Sequence, residues 1–284
     1  MTRVDQFESV FRSASKEICR PTAVELGHVS IVNDLRGEAA GEFDRSVRGF
    51  LAVLGDQVVW TDAEHDEARD LGRFLASVEA EQPDLICTYR NLFSDSWRYP
   101  YSLGEHVDVL TQAAHCPVLV LPHPRVESSA EFAAHGTKHV LAMGGHLAGD
   151  HSLVDWALRM TQPGGTLRIA HIEDDQSFER YAEAISKIPS IETEDARETI
   201  IAQLLKEPRE YIESVSHALV EAGSDIRVEG EVQLGHRLSE YRRLIDEHRV
   251  DLLVMHTKDE DQLAMHGLAY PLAVELRETP LLLL

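Results

Sequence analysis

Cysteine is scarce and scattered: three occur in 284 residues, Cys19, Cys87 and Cys116, an odd number with no CxxC pair. That usage excludes a disulfide-stapled scaffold and suits a reducing cytoplasm. Positive charge is also short, with 27 Lys and Arg against 49 Asp and Glu, a formal charge of -22. So negative a surface repels phosphate backbones and anionic headgroups, which argues against nucleic-acid and membrane roles. Solubility alone accounts for the acidic excess. No apolar run approaches the roughly 20 residues that span a bilayer. The first residues, MTRVDQFESVF, lack the apolar core of a signal peptide. The HExxH, GxSxG and P-loop patterns are missing too, and among the fifteen histidines no His pair stands at i,i+4 beside a carboxylate partner with zinc-type spacing. The sequence therefore names no catalytic residue and no metal ligand.

What is present is one pattern stated twice. Residues Asp84–Pro122 open with the apolar run DLIC, pass through a polar loop and an amphipathic helix, and close with the Pro-led strand PVLVL. Residues Asp251–Leu284 repeat this more tersely, from DLLVM to PLLLL. Strand, loop, helix, strand is the end of a parallel α/β unit, and its recurrence predicts a tandem repeat. A chain of this length, 43% hydrophobic, holds two domains with cores of their own.

Residues 1–24 precede the repeats, with Phe7, Val10, Phe11, Ala14 and Ile18 on one helical face. The first domain spans 25–122: a strand at 28–35, a helix at 38–54, a strand at 58–61, a helix at 66–81, then the repeated unit. Residues 123–136, HPRVESSAEFAAHG, read as a linker. The second domain spans 137–284: a strand at 139–143, a helix at 151–161, and strands at 166–174 and 225–233. A long acidic helical region at 177–221 is broken near Pro189 and Pro208, and a helix at 237–249 leads into the second statement of the pattern. The first domain thus has four strands and the second five. The first copy lacks one strand and the long helix.

The segments VLAMGG, LRIAHIED, DLLVMHT and TPLLLL in the second domain, with SIVND, DLIC and LGEHVDVLTQAAHCPVLVLP in the first, resemble a tandem universal stress protein. The resemblance spans most of residues 25–284. It implies an α/β class fold: two tandem open parallel-sheet domains of the adenine-nucleotide-hydrolase-like, flavodoxin/Rossmann three-layer kind, the first truncated. It also implies a role in stress tolerance and dimers formed through the last strand. In a tandem chain the copies would pair with each other along Pro117–Leu121 and Pro280–Leu284, an intramolecular pseudo-dimer, with a homodimer as a further option. Pairing would hide apolar strands that are an aggregation hazard when open.

Many members of that family bind ATP through a loop of pattern G-x2-G-x9-G-[ST], whose glycines let backbone N–H groups approach the phosphates. Here the second domain reads HTKDEDQLAMHGL: Gly267 fits the last glycine, but Leu268 replaces the hydroxyl residue and Asp259, Glu260 and Asp261 would face a polyphosphate. Like charges about 4 Å apart repel by about 4 kcal/mol at an effective dielectric of about 20. In the first domain only Gly104 fits, followed by Glu105. Asp34 matches the family position that meets the nucleotide, and its counterpart in the second domain falls at about Gly145. Neither copy carries a complete ATP motif.

One further stretch stands out. Tyr89, Phe93, Trp97, Tyr99 and Tyr101 fall close together, with Arg90 and Arg98 among them, in a chain that is 6% aromatic. They form either a binding surface at the carboxyl end of the sheet or a self-packed cap over the truncated domain. The candidate ligand-binding set is Asp34, Arg90, Trp97, Arg98, Gly104, Gly145 and Gly267. The expected function is a non-catalytic stress-response protein that acts on a protein partner or small ligand and needs no cofactor. The competing expectation is an ATP or AMP sensor, or a weak ATPase.

Overall fold

Short apolar runs alternate with amphipathic stretches along the chain, and the computed structural model turns them into strands and helices. It describes residues 18–64, 70–99, 101–126, 132–145, 147, 151–187, 193–257 and 268–284. The expected amphipathic helix within residues 1–24 therefore lies almost wholly outside the described residues.

The first strand, β1 (His28–Asn33), is followed by α1 (Glu38–Phe50), β2 (Val59–Glu64), α2 (Leu71–Ala80), β3 (Leu85–Tyr89), α3 (Glu105–Ala113) and β4 (Val118–Leu121). A short helix, α4 (Phe132–His135), lies in the expected linker. Then come β5 (His139–Met143), α5 (His151–Met160), β6 (Thr166–Asp174), α6 (Asp175–Ser186), α7 (Thr193–Glu221), β7 (Arg227–Gly235), α8 (Arg237–His248), β8 (Leu252–Met255), α9 (Ala269–Glu275) and β9 (Leu281–Leu283). Strands β3, β4, β8 and β9 are buried along their whole length. Continuous apolar runs of this kind belong to strands covered on both faces.

All nine strands form one sheet in the order β2-β1-β3-β4-β9-β8-β5-β6-β7. Strands β1 to β4 run parallel to one another, and so do β5 to β9. Between the two sets the direction reverses: β4 and β9 pair antiparallel, Val118 with Leu283, Leu119 with Leu282 and Val120 with Leu281. These are the segments that the sequence expected to meet. In the first set the order is 2-1-3-4. In the second, β6, β5, β8 and β9 repeat that order and β7 is the extra outer strand. The strand missing from the first set is therefore an edge strand, which can be lost without opening the middle of the sheet.

The opening aspartate of each repeated unit has the same structural task. Asp84 Oδ2 accepts from the Gly27 and His28 N–H groups at 2.8 and 2.9 Å, and Asp251 Oδ2 accepts from the His139 N–H at 2.7 Å. Each carboxylate ties the start of its own strand to the start of β1 or β5.

Two expectations change. The long helical region breaks after Ser186, but α7 continues through Pro208. Leu205, Tyr211, Ile212, Val215 and Leu219 of α7 are buried, and this packed face outweighs the lost backbone hydrogen bond. The expected linker also begins inside the core: His123 is buried, and Phe132 packs edge-on against Phe50 with centroids 5.5 Å apart.

Candidate functional site

Ligands of open parallel sheets bind at the carboxyl ends of the strands, beside the point where strand order reverses. Two such rims exist here, one past β1 and β3, the other past β5 and β8.

At the first rim the chain fills its own crevice. The Asp34 N–H donates to Tyr89 Oη at 3.1 Å, and the Tyr89 hydroxyl donates back to the Asp34 carboxylate. Tyr89 is fully buried, and burial, then the neighbouring Asp34, pushes its phenol up. Phe43 and His123 meet the Tyr89 ring edge-on at 5.0 and 5.2 Å. Trp97 stacks on His123 at 5.2 Å with planes 14° apart, and the Arg98 guanidinium lies 5.3 Å from the Trp97 ring. His123 Nδ1 accepts from the Arg125 N–H at 3.2 Å, so this nitrogen carries no proton. Burial, then Arg125, pulls the imidazole down to about 4.

The loop between β3 and α3 is closed at its base. The Asn91 N–H donates to the Leu103 carbonyl at 2.6 Å, and Leu92 and Leu103 are buried beneath it. Gly104 begins α3 with a φ of 97°, and a Cβ there would stand 2.7 Å from Asn91 Cα. This glycine is needed for a close approach of two backbone segments and for its left-handed conformation. Asn91 packs directly against the bare face of Gly104.

Arg90 turns away from the crevice. Its guanidinium donates to the carbonyls of Ala273 and Leu276 at the end of α9, across the β4–β9 seam. It is 4% exposed, and burial, then Arg277, pulls it down to about 9. From the other side, Arg277 donates to the Trp97 carbonyl at 3.3 Å. Of the candidate set, Asp34 and Trp97 are thus brought together through Tyr89 and His123. Arg98 is exposed on Trp97, and Arg90 is a clamp between the two strand sets. Of the remaining aromatics, Phe93 packs on Phe74 and His106, while Tyr99 and Tyr101 are 64% and 80% exposed. Four atoms of this region, Thr88 Oγ1, Arg90 Nε, Asn91 Oδ1 and Trp97 Nε1, are buried and find no hydrogen-bond partner among the described residues.

The second rim is built on His171 of β6, beside the end of β5. It is 4% exposed, with Nδ1 3.3 Å from the Gly144 carbonyl and Nε2 3.3 Å from Glu173. Burial pulls the imidazole down, against the opposing pull of Glu173. Arg237 Nε donates to the Ile172 carbonyl at 2.9 Å, and Tyr241 Oη accepts from the Ile172 N–H at 3.3 Å. Gly144 is tightly packed, since a Cβ there would meet Leu147 and Leu153 side chains at 3.0 and 3.1 Å. Gly145, the candidate, is exposed, and no atom of the described residues comes within 4 Å of where its Cβ would stand. Gly267 and the carboxylates Asp259, Glu260 and Asp261 lie outside the described residues.

Sequence reading missed Tyr89 as the partner of Asp34, and it missed His123, Arg237 and Arg277. The available signal was position: Tyr89 ends β3 and His123 lies two residues past β4, where side chains enter a rim. Among the described residues no three His, Cys, Asp or Glu side chains could hold a metal ion, and no helix is long and apolar enough to cross a membrane.

Strand order, parallel sense and helices on both faces define an open, doubly wound α/β fold. It is the fold of universal stress proteins. The structure is similar to that of a universal stress protein from Archaeoglobus fulgidus DSM 4304, with a TM-score of 0.50 and 12% identity over 90% of this chain and 95% of that one. It also matches a candidate universal stress protein from Pseudomonas aeruginosa UCBPP-PA14, with a TM-score of 0.46 and 16% identity over 90% of this chain and 81% of that one. No protein-family model and no curated protein sequence matches the chain.

Proposed function

We propose that this chain is a tandem universal stress protein of the cytoplasm that acts without catalysis, through a protein partner or a small ligand other than ATP. Its domains are 25–122 and 137–284, joined by 123–136 and paired as an internal pseudo-dimer across β4 and β9. The strand order repeated on either side of the seam supports the tandem reading. The observation that carries the loss of nucleotide binding is the plugged first rim. Tyr89 engages the Asp34 carboxylate, and Asn91 fills the face of Gly104. A nucleotide entering there would have to displace a buried tyrosine and an ordered loop.

Calorimetry of the intact protein with ATP and magnesium is the test. The expected outcome is no saturable heat. Tight magnesium-dependent binding overturns the reading.

A second reading, a sensor of ATP or AMP, draws on the exposure of Gly145 and on the buried polar atoms beneath the loop that find no partner among the described residues. Thermal-shift assays with both nucleotides, and mass spectrometry of the denatured protein for a co-purified adenine compound, decide between the two. A shift abolished by Gly145→Val would favour the sensor.

A further inference from the structure

A cleft of about 490 Å³ lies away from both rims, at the amino ends of β3 and β4, where the first strand set meets α5 of the second. The repeat explains none of it. Its volume falls within the range of small-molecule sites. Leu75, Val78 and Ile86 give it an apolar floor, and Trp156 of α5 forms a wall from the opposite side. Around these stand the carboxylates Glu25, Glu79 and Asp84, and no lysine or arginine is among the described residues that line it. Asp84 is engaged with the backbone of Gly27 and His28, while Glu25 and Glu79 are exposed.

We propose that this cleft binds a small organic cation, a primary ammonium carried on an aromatic or aliphatic body. The apolar floor and the Trp156 wall take the body, the two exposed carboxylates take the charge, and the field of a chain with a formal charge of -22 draws cations in and keeps anions out. A bare metal ion does not fit, because no metal-holding cluster exists among the described residues. The proposal is independent of the reading of either rim. It stands or falls whether or not a nucleotide binds there.

Cys116 lines the cleft and supplies a readout. It is partly exposed, whereas Cys19 and Cys87 are 2% and 0% exposed, so small thiol reagents reach Cys116 first. Its thiol is pushed up to about 11 by burial and then by Asp84, so modification is slow enough to time at mildly alkaline pH. With a methanethiosulfonate, the Cys116 thiolate forms a disulfide to the reagent's sulfenyl sulfur and methanesulfinate leaves.

The aminoethyl reagent, a cation, is expected to react faster than the anionic sulfonatoethyl reagent. Phenethylammonium is expected to slow either reagent by about fivefold or more, and neutral phenethyl alcohol to do so much less. The double variant Glu25→Gln, Glu79→Gln moves the net charge only from -22 to -20, so the overall field persists. It is expected to erase the difference between ammonium and alcohol. Direct calorimetry of phenethylammonium into the intact chain is a second measurement that does not depend on thiol reactivity. Equal protection by ammonium and alcohol, a preference that survives in the double variant, or no heat in the titration overturns the proposal.

Discussion

Two side chains decide what the first rim can do. Tyr89 donates a hydrogen bond from its hydroxyl to the Asp34 carboxylate, and His123 sits neutral between the Tyr89 and Trp97 rings. A histidine held at about 4 in the fold and at its ordinary value of about 6.5 in the unfolded chain favours folding fully above the higher value. As pH falls through this window the unfolded chain takes up a proton that the fold refuses, so stability is lost between about pH 6.5 and 4. The loss attributable to His123 is on the order of 2–3 kcal/mol. His123→Phe keeps a ring in the stack and removes the proton site. Urea titrations from pH 7 to pH 4.5 should show a flatter decline in this variant than in the parent. Gly104→Ala forces a Cβ into Asn91 at a positive φ and is expected to cost about 2–4 kcal/mol in the same assay. A loss under about 0.5 kcal/mol would show that the loop yields easily. The sequence marked Asp34, Trp97 and Gly104 as a group. It could not reveal that their neighbours occupy the crevice, because no spacing rule says where the Tyr89 ring points. Arg90 misled for a related reason: its residue type suggested a ligand, but its guanidinium is held by carbonyls 183 and 186 residues further along the chain.

At the scale of elements, the inner strands were legible because buried parallel strands must be unbroken apolar runs, and DLIC, PVLVL, DLLVM and PLLLL are such runs. The recurring aspartate at the head of β3 and β8 has a local explanation, since Asp84 and Asp251 accept hydrogen bonds from the N–H groups that begin β1 and β5. Replacing either by alanine removes the acceptor. Each change is expected to lower stability by about 1–2 kcal/mol, and the two effects should add, because the aspartates serve separate strand sets. Strongly non-additive losses in the double variant would show that the sets report on each other. The path of α7 was less legible. Pro208 argues locally for a break, yet the buried face running from Leu205 to Leu219 carries the helix past it. Tertiary packing overrides a local rule that sequence inspection weights too heavily.

For the molecule as a whole, the governing quantity is the formal charge of -22. Self-repulsion of this size opposes compaction and is weakened by salt, whose screening length falls from about 30 Å at 0.01 M to about 10 Å at 0.1 M. The melting temperature is therefore expected to rise with sodium chloride over that range, as read by differential scanning calorimetry; a fall would mean that attractive ion pairs outweigh the excess. The pairing of β4 with β9 has a different consequence. Because it is antiparallel, the crevice beside Asp34 and the crevice beside His171 open toward opposite poles of the molecule. Whatever approaches one crevice therefore comes from the pole opposite to that of whatever approaches the other. Any influence of one crevice on the other has several routes, among them the three facing residue pairs, the two arginines that reach across beside them, and Arg159 of α5, which donates to the Val53 and Leu54 carbonyls.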